Sequence, residues 1–122
     1  LIAITVLTSI NDKDWQGLGM QMPIEEQVVR LAELTKEAGL DGVVASPREA
    51  AQIRRACGDD FMIVTPGVRP AGTAANDQSR IATPAQALKN GASQLVIGRP
   101  IYAADDPKKA AESILREIAE IQ

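Results

Sequence analysis

A chain of 122 residues, 45% hydrophobic and 24% charged, has the size and balance of one globular domain around one core. Its net charge of −3 and just three aromatic side chains, Trp15, Phe61 and Tyr102, argue against a nucleic-acid surface, which needs a basic stripe or stacking rings. The lack of histidine, with Cys57 as the single cysteine, removes the commonest general base and metal ligand, any disulfide framework and any thiolate zinc cluster.

The chain opens in "LIAITVLTSI", apolar from its first residue. The run is too short to span a membrane and lacks the basic lead of a signal peptide. A start inside a strand is the pattern of a portion of something longer. Four such runs, rich in β-branched residues, are read as strands: Ile2 to Leu7, Gly42 to Ala45, Phe61 to Thr65 and Gln94 to Ile97. None alternates cleanly, so each is expected to be buried on both faces, as in a parallel sheet. Helical patterns lie between them. Ile24, Val28, Leu31 and Ala38 follow the 3.6-residue period, with Gly39 placed to end the helix. Ser46-Pro47-Arg48-Glu49 and Thr83-Pro84-Ala85-Gln86 both read as capping boxes with proline at the first helical position. Asp106-Pro107 starts a last helix with the stripe Ala111, Ile114, Ile118, Ile121, and Cys57 is expected to be a small buried side chain near a helix end.

The order β-α-β-α-β-α-β-α is that of an α/β chain with a parallel sheet and crossover helices. Four βα units fit either a small open doubly wound sheet or half of an eight-stranded βα barrel, whose usual length is about 250 residues. A half barrel would leave two bare edges, and neither outer strand carries a guarding charge or bulge, so that architecture implies a missing partner half.

In either architecture chemistry gathers where strands feed into helices. The candidates there are Thr8 and Ser9, Ser46, the long polar loop that carries Arg69, Gln78 and Arg80, and Gly98-Arg99-Pro100. A glycine lets backbone N–H groups approach an anion and an arginine supplies a bidentate fork, so the outline is that of a phosphate site. Loops of this length without structure of their own are functional or disordered. Taken singly, each candidate has an ordinary explanation. Thr8-Ser9 can begin a turn, Ser46 can cap a helix, Arg69 and Arg80 can be solvated, and Asp12-Lys13-Asp14 can be a surface cluster.

The joint pattern is more specific. "LIAITVLTS", "GLDGVVASPREA", "VTPGVRPAGTAANDQSRIATPAQALKNGA" and "LVIGRPI" occur in this order along the whole chain, and together they resemble the second half of bacterial orotidine 5′-phosphate decarboxylase. The most diagnostic part is Thr65-Pro66-Gly67-Val68-Arg69-Pro70, then Asp77-Gln78, then Val96 to Pro100. The resemblance implies the second half of a TIM barrel over residues 1–122, in a cytoplasmic homodimer that converts orotidine monophosphate to UMP and carbon dioxide. It implies no metal and no organic cofactor. It gives Thr8 to the pyrimidine, Gln78 to phosphate and base from a closing loop, and Gly98 backbone and the Arg99 guanidinium to the phosphate. Arg69 matches a ligand-binding arginine at the start of that loop. The expected partner is therefore a nucleotide monophosphate, with a second copy or a complementing N-terminal half barrel, and no nucleic acid or membrane.

The departure is large. The family's chemistry rests on lysines and aspartates of the first three strands, including an Asp-x-Lys-x-x-Asp motif. Asp106-Pro107-Lys108 begins like it, but Ala111 stands at the second aspartate. No catalytic residue is assigned within these 122 residues. Two other readings remain at this level: a non-catalytic half barrel whose copies pair and bind phosphate ligands, and another phosphate-binding barrel such as a sugar-phosphate aldolase or epimerase. The long loop between Arg69 and Arg80 weighs against the last.

Overall fold

The computed structural model describes residues 1–70 and 81–121. Its elements run β1 (Ile2–Ile4), α1 (Asp12–Gly17), α2 (Ile24–Glu37), β2 (Gly42–Val44), α3 (Ala50–Cys57), β3 (Met62–Thr65), α4 (Pro84–Lys89), β4 (Gln94–Leu95), α5 (Arg99–Tyr102) and α6 (Pro107–Ala119). The sheet is parallel throughout, in the order β1-β2-β3-β4. Sequential parallel neighbours joined by crossover helices are the α/β arrangement expected from the alternation of patterns.

Helix α2 shows why these segments fold as they do. Ile24, Val28, Ala32 and Thr35 are buried and fall on one face at helical spacing. Past the cap at Ala38, Gly39 takes φ +85°, which costs glycine nothing. Its N–H donates to the Lys36 carbonyl and the Leu40 N–H to that of Thr35, so the last turn closes as a Schellman motif. The buried face meets α3 and the sheet: Val28, Ala32, Val43, Ala50, Ile53 and Ile63 form one cluster and are fully enclosed. Each enclosed Val or Ile side chain contributes about 1.5–3 kcal/mol over leaving it in water.

The opposite face of the sheet is different. Register aligns Ile4, Val44, Val64 and Gln94, one residue out of phase with Val43 and Ile63, and this row points away from α2 and α3. Ile4 is 67% exposed, Val44 and Val64 are half-buried, and Val96 is exposed. The expectation that every strand is buried on both faces is therefore corrected. Strands β1 and β4 each pair on one side among the described residues, and the apolar runs mark a face that the other described residues leave partly exposed.

Capping divides in the same way. Thr83 forms the expected box: its hydroxyl accepts from the Gln86 N–H at 3.2 Å and the Gln86 amide oxygen accepts from the Thr83 N–H at 3.1 Å. Asp106 caps α6 through the Lys109 N–H at 3.1 Å, so its likeness to the start of a catalytic motif is a helix start. The helix start expected at Ser46 is displaced. Residues 46–49 make a turn, the Ser46 hydroxyl accepts from Arg48 N–H at 3.3 Å, and α3 begins four residues later at Ala50. Two short helices, α1 and α5, lie outside the sequence expectations. Asp12 and Asp14 form the first turn of α1, with the Asn11 side chain accepting from the Asp14 N–H at 2.8 Å.

Candidate functional site

Burying a polar side chain costs free energy unless something compensates, so clusters of buried polarity call for a reason. Among the described residues the buried polar or charged side chains are Thr8, Thr35, Ser46, Glu49, Thr65 and Arg69. Thr35 sits in α2, where its hydroxyl donates to the Leu31 carbonyl at 2.8 Å. The other five lie at one end of the sheet. Thr8 follows β1, Ser46 and Glu49 follow β2, Thr65 ends β3 and Arg69 lies four residues beyond it. The carboxyl ends of parallel strands are where this class of fold places its ligands.

Thr8 is 2% exposed, whereas its neighbour Ser9 is exposed. Its side chain lies against the backbone of Gly67, which takes φ +72° just after β3. The two loops therefore meet across the end of β2. The Thr65 hydroxyl donates to the Gln94 carbonyl at 3.3 Å and ties the ends of β3 and β4.

The long loop after β3 has a stapled base. Val68 bridges to Ala82, the Arg69 N–H donates to the Ala82 carbonyl at 2.9 Å, and the Ala82 N–H donates to the Gly67 carbonyl at 3.4 Å. Thr83 then caps α4 directly. Loop ends held this close characterise compact functional loops. Gln78 and Arg80 lie outside the described residues. Arg69 is buried, not a solvated loop charge, and one guanidinium nitrogen donates to the Val68 carbonyl at 3.1 Å.

After β4, Gly98 leads into α5 and its carbonyl accepts from the Ile101 and Tyr102 N–H groups at 2.8 and 3.1 Å. Arg99 is the first residue of that helix and is partly exposed. Thr8, Arg69, Gly98 and Arg99 thus all occupy the same end of the sheet, where the Thr8 loop meets the Gly67–Arg69 stem. The spacing of Glu49 from Ser46 predicts half of a capping box, and nothing in it separates that role from a fully buried carboxylate. Gly67 could have been found from the Thr-Pro-Gly turn signal, which favours a positive φ at glycine.

Size alone does not mark the site. A depression of about 680 Å³ opens at the amino ends of the strands, between Leu1, Leu40, Asp41 and Phe61, and none of the buried polar side chains lines it. Cys57 borders it, with its thiol pKa pushed up by burial, against a partial opposing pull from Lys36. A buried thiol held protonated is a packing residue and not a nucleophile. No group of three or more His, Cys, Asp or Glu among the described residues is placed to hold a metal ion. No helix among them is long and apolar enough to cross a membrane.

Comparison with known proteins agrees with this arrangement. Residues 1–114 match the model of the orotidine 5′-phosphate decarboxylase / HUMPS family. The chain is 59% identical over 118 residues to an orotidine 5′-phosphate decarboxylase of Geotalea daltonii, covering 97% of this chain and 49% of the relative. It is 60% identical over 119 residues to that of Moorella thermoacetica, covering 97% and 47%. The crystal structure of the Lactobacillus acidophilus orotidine 5′-phosphate decarboxylase superposes with a TM-score of 0.76 at 42% identity, over 96% of this chain and 48% of that one. The chain thus spans about half the length of the curated relatives it matches, and its four βα units correspond to half of a TIM barrel. By a match that runs nearly its full length, this chain belongs to the orotidine 5′-phosphate decarboxylase / HUMPS family.

Proposed function

We propose that residues 1–122 are the C-terminal half barrel of an orotidine 5′-phosphate decarboxylase and carry its pyrimidine- and phosphate-binding loops. The observation that carries this reading is the gathering of Thr8, Ser46, Glu49, Thr65 and Arg69, all buried, at the carboxyl ends of the strands beside the stapled loop. In the proposed arrangement Thr8 holds the base, and Arg69 serves the ligand from the loop stem. Gly98 presents backbone to the phosphate and Arg99 its guanidinium fork, while Gln78 keeps the role that the resemblance gives it.

In the reaction the bond between the ring carbon and the carboxylate breaks, and carbon dioxide leaves. The electron pair stays on that carbon until a proton arrives. A lysine must supply the proton, and in this reading it stands with its aspartates on the N-terminal half. What the present residues contribute is binding. A phosphate gripped far from the reacting carbon supplies free energy that can be directed to the transition state. The half barrel itself supports the need for a complement. Among the described residues its sheet has two unpaired edges, Ile4 is exposed on the face turned away from α2 and α3, and Val96 is exposed just past β4. Both edges are closed if an N-terminal half barrel docks there, and the roughly doubled length of the relatives favours that occupant over a second copy of this half. A cytoplasmic homodimer of complete barrels is the assembly that the family resemblance suggests.

The test is substitution of Arg99. A charge-assisted pair to phosphate contributes about 1.5–3 kcal/mol, so Arg99→Ala should weaken UMP by roughly 10- to 150-fold. Uridine, which lacks the phosphate, should bind as before. Equal losses for the nucleotide and the nucleoside would sink the assignment. Turnover of orotidine monophosphate by this chain with no complementing half would equally refute the placement of the catalytic lysine elsewhere.

A further inference from the structure

We infer that Gly67 is a positioning residue that holds the Thr8 hydroxyl in its base-binding orientation, an inference that rests on the role proposed above for Thr8. Threonine has three staggered χ1 states, and each sends its hydroxyl in a different direction. Something must select one of them if the hydroxyl is to read a base. One face of Thr8 is turned toward the stem after β3. There it packs against Gly67, whose bare α-carbon leaves room for one orientation of the side chain. A Cβ placed on Gly67 would lie 2.8 Å from Thr8 Cγ2, 2.9 Å from Oγ1 and 3.0 Å from Cβ. Ordinary contacts between such atoms are near 3.5–4.0 Å. The Thr8 methyl and hydroxyl therefore straddle the volume that any side chain at residue 67 would fill.

The strands involved are not neighbours. Strand β2 lies between β1 and β3 in the sheet, so the contact bridges over the β2 end. It also joins two parts of the proposed site. The Gly67 carbonyl accepts the Ala82 N–H that closes the loop stem, and Arg69 lies two residues on. The positive φ of Gly67 presents its bare α-carbon to Thr8 and its carbonyl to the stem. A side chain here should turn Thr8 out of its χ1 state; displacement of the stem instead would show as an equal loss for UMP and ribose 5-phosphate.

The experiment is equilibrium binding of UMP and of ribose 5-phosphate, with the complementing half in place, to the parent, Gly67→Ala, Gly67→Asn, Thr8→Ala and the Thr8→Ala/Gly67→Ala pair. Loss of one neutral hydrogen bond to the base should weaken UMP about fivefold to tenfold in Gly67→Ala, with ribose 5-phosphate changed by less than about twofold. The double variant should match Thr8→Ala within about twofold, since residues in contact do not act additively. Gly67→Asn tolerates a positive φ yet carries a Cβ, and it should behave like Gly67→Ala. Equal weakening of both ligands, additive losses, or recovery in Gly67→Asn would each overturn the inference. Three-bond couplings to the Thr8 methyl in the unsubstituted protein provide a measurement that needs no variant. They should report one χ1 state, and averaged couplings would overturn the inference as well. A folded parent that fails to bind UMP would overturn the proposed function and this inference together. Binding of UMP with failure of the other arms would overturn this inference alone.

Discussion

Arg54 makes more side-chain hydrogen bonds than its single place in the last turn of α3 would suggest, and replacing it should loosen the amino end of the sheet. Its guanidinium donates to the Gly58, Asp59 and Phe61 carbonyls at 2.8, 3.1 and 2.5 Å, all in the connection from α3 to β3. It also donates to the Gly91 carbonyl at 3.2 and 2.7 Å and to the Ser93 hydroxyl at 3.0 Å, in the connection from α4 to β4. The Ser93 oxygen in turn accepts from the Ile63 N–H at 3.0 Å, so one side chain sets β4 against β3. Gly91 fits beneath it at φ +104°, where a Cβ would come within 3.2 Å of Arg54 Cβ. Summing every bond at the charged-donor value of about 1.5–3 kcal/mol would match the stability of a whole domain, so the bonds are not independent. The contacts to Gly58, Asp59 and Ser93 are exposed and water can replace them, which leaves Phe61 and Gly91 as the costly losses. Arg54→Ala should therefore destabilise by about 3 kcal/mol, a urea midpoint lower by about 1.5 M for a slope near 2 kcal/mol/M. Arg54→Lys should recover less than about half, because a lysine places all its donors on one nitrogen and cannot span two loops. A midpoint shift under about 0.3 M for the alanine variant, or full recovery by lysine, would refute this account of the clamp.

Thr83→Ala removes the hydroxyl that caps α4 at the foot of the loop stem; thermal unfolding should show a loss of about 0.5–2 kcal/mol, with Thr83→Ser near the parent. Cys57 is 3% exposed and its thiol pKa is raised by burial, so folding favours the protonated form. The sign follows: the folded state holds its proton longer than the unfolded chain, so this group's contribution to stability is fully present below the unfolded thiol pKa and is lost as pH rises through and beyond it. Alkylation by iodoacetamide at pH 8 should accordingly be at least about tenfold slower than in denaturant, and labelling at the denatured rate would contradict its burial.

Much of this architecture is legible in the chain because local rules and the tertiary structure agree. Helix α2 carries its burial in its spacing and its end in Gly39. Thr83-Pro84-Ala85-Gln86 forms the box its letters suggest. Ser46-Pro47-Arg48-Glu49 has the same kinds of residue at those positions but folds as a turn, with Glu49 enclosed and α3 starting only at Ala50. Helices α1 and α5 are 6 and 4 residues long, too short for a 3.6-residue period to register. The strand runs read as longer than the ladders, since β-branched residues continue past the last paired residue at both outer strands.

The candidate site divides along the same line. Residue type and order were enough to nominate Thr8, Arg69, Gly98 and Arg99, because strand ends in a parallel sheet are predictable from the alternation of strand and helix. That Arg69 is buried, that Gly67 backs Thr8, and that Val68 staples to Ala82 depends on atoms brought together from distant parts of the chain. Those facts follow from parallel register and close packing, which no local propensity encodes. The sequence by itself determined the order of elements, the helix ends and the residue types at one end of the sheet, since each follows from backbone preference within a few residues. Tertiary structure alone decided which of those residues are enclosed, which touch, and which apolar face stays exposed among the described residues, since burial is a property of the assembled layers.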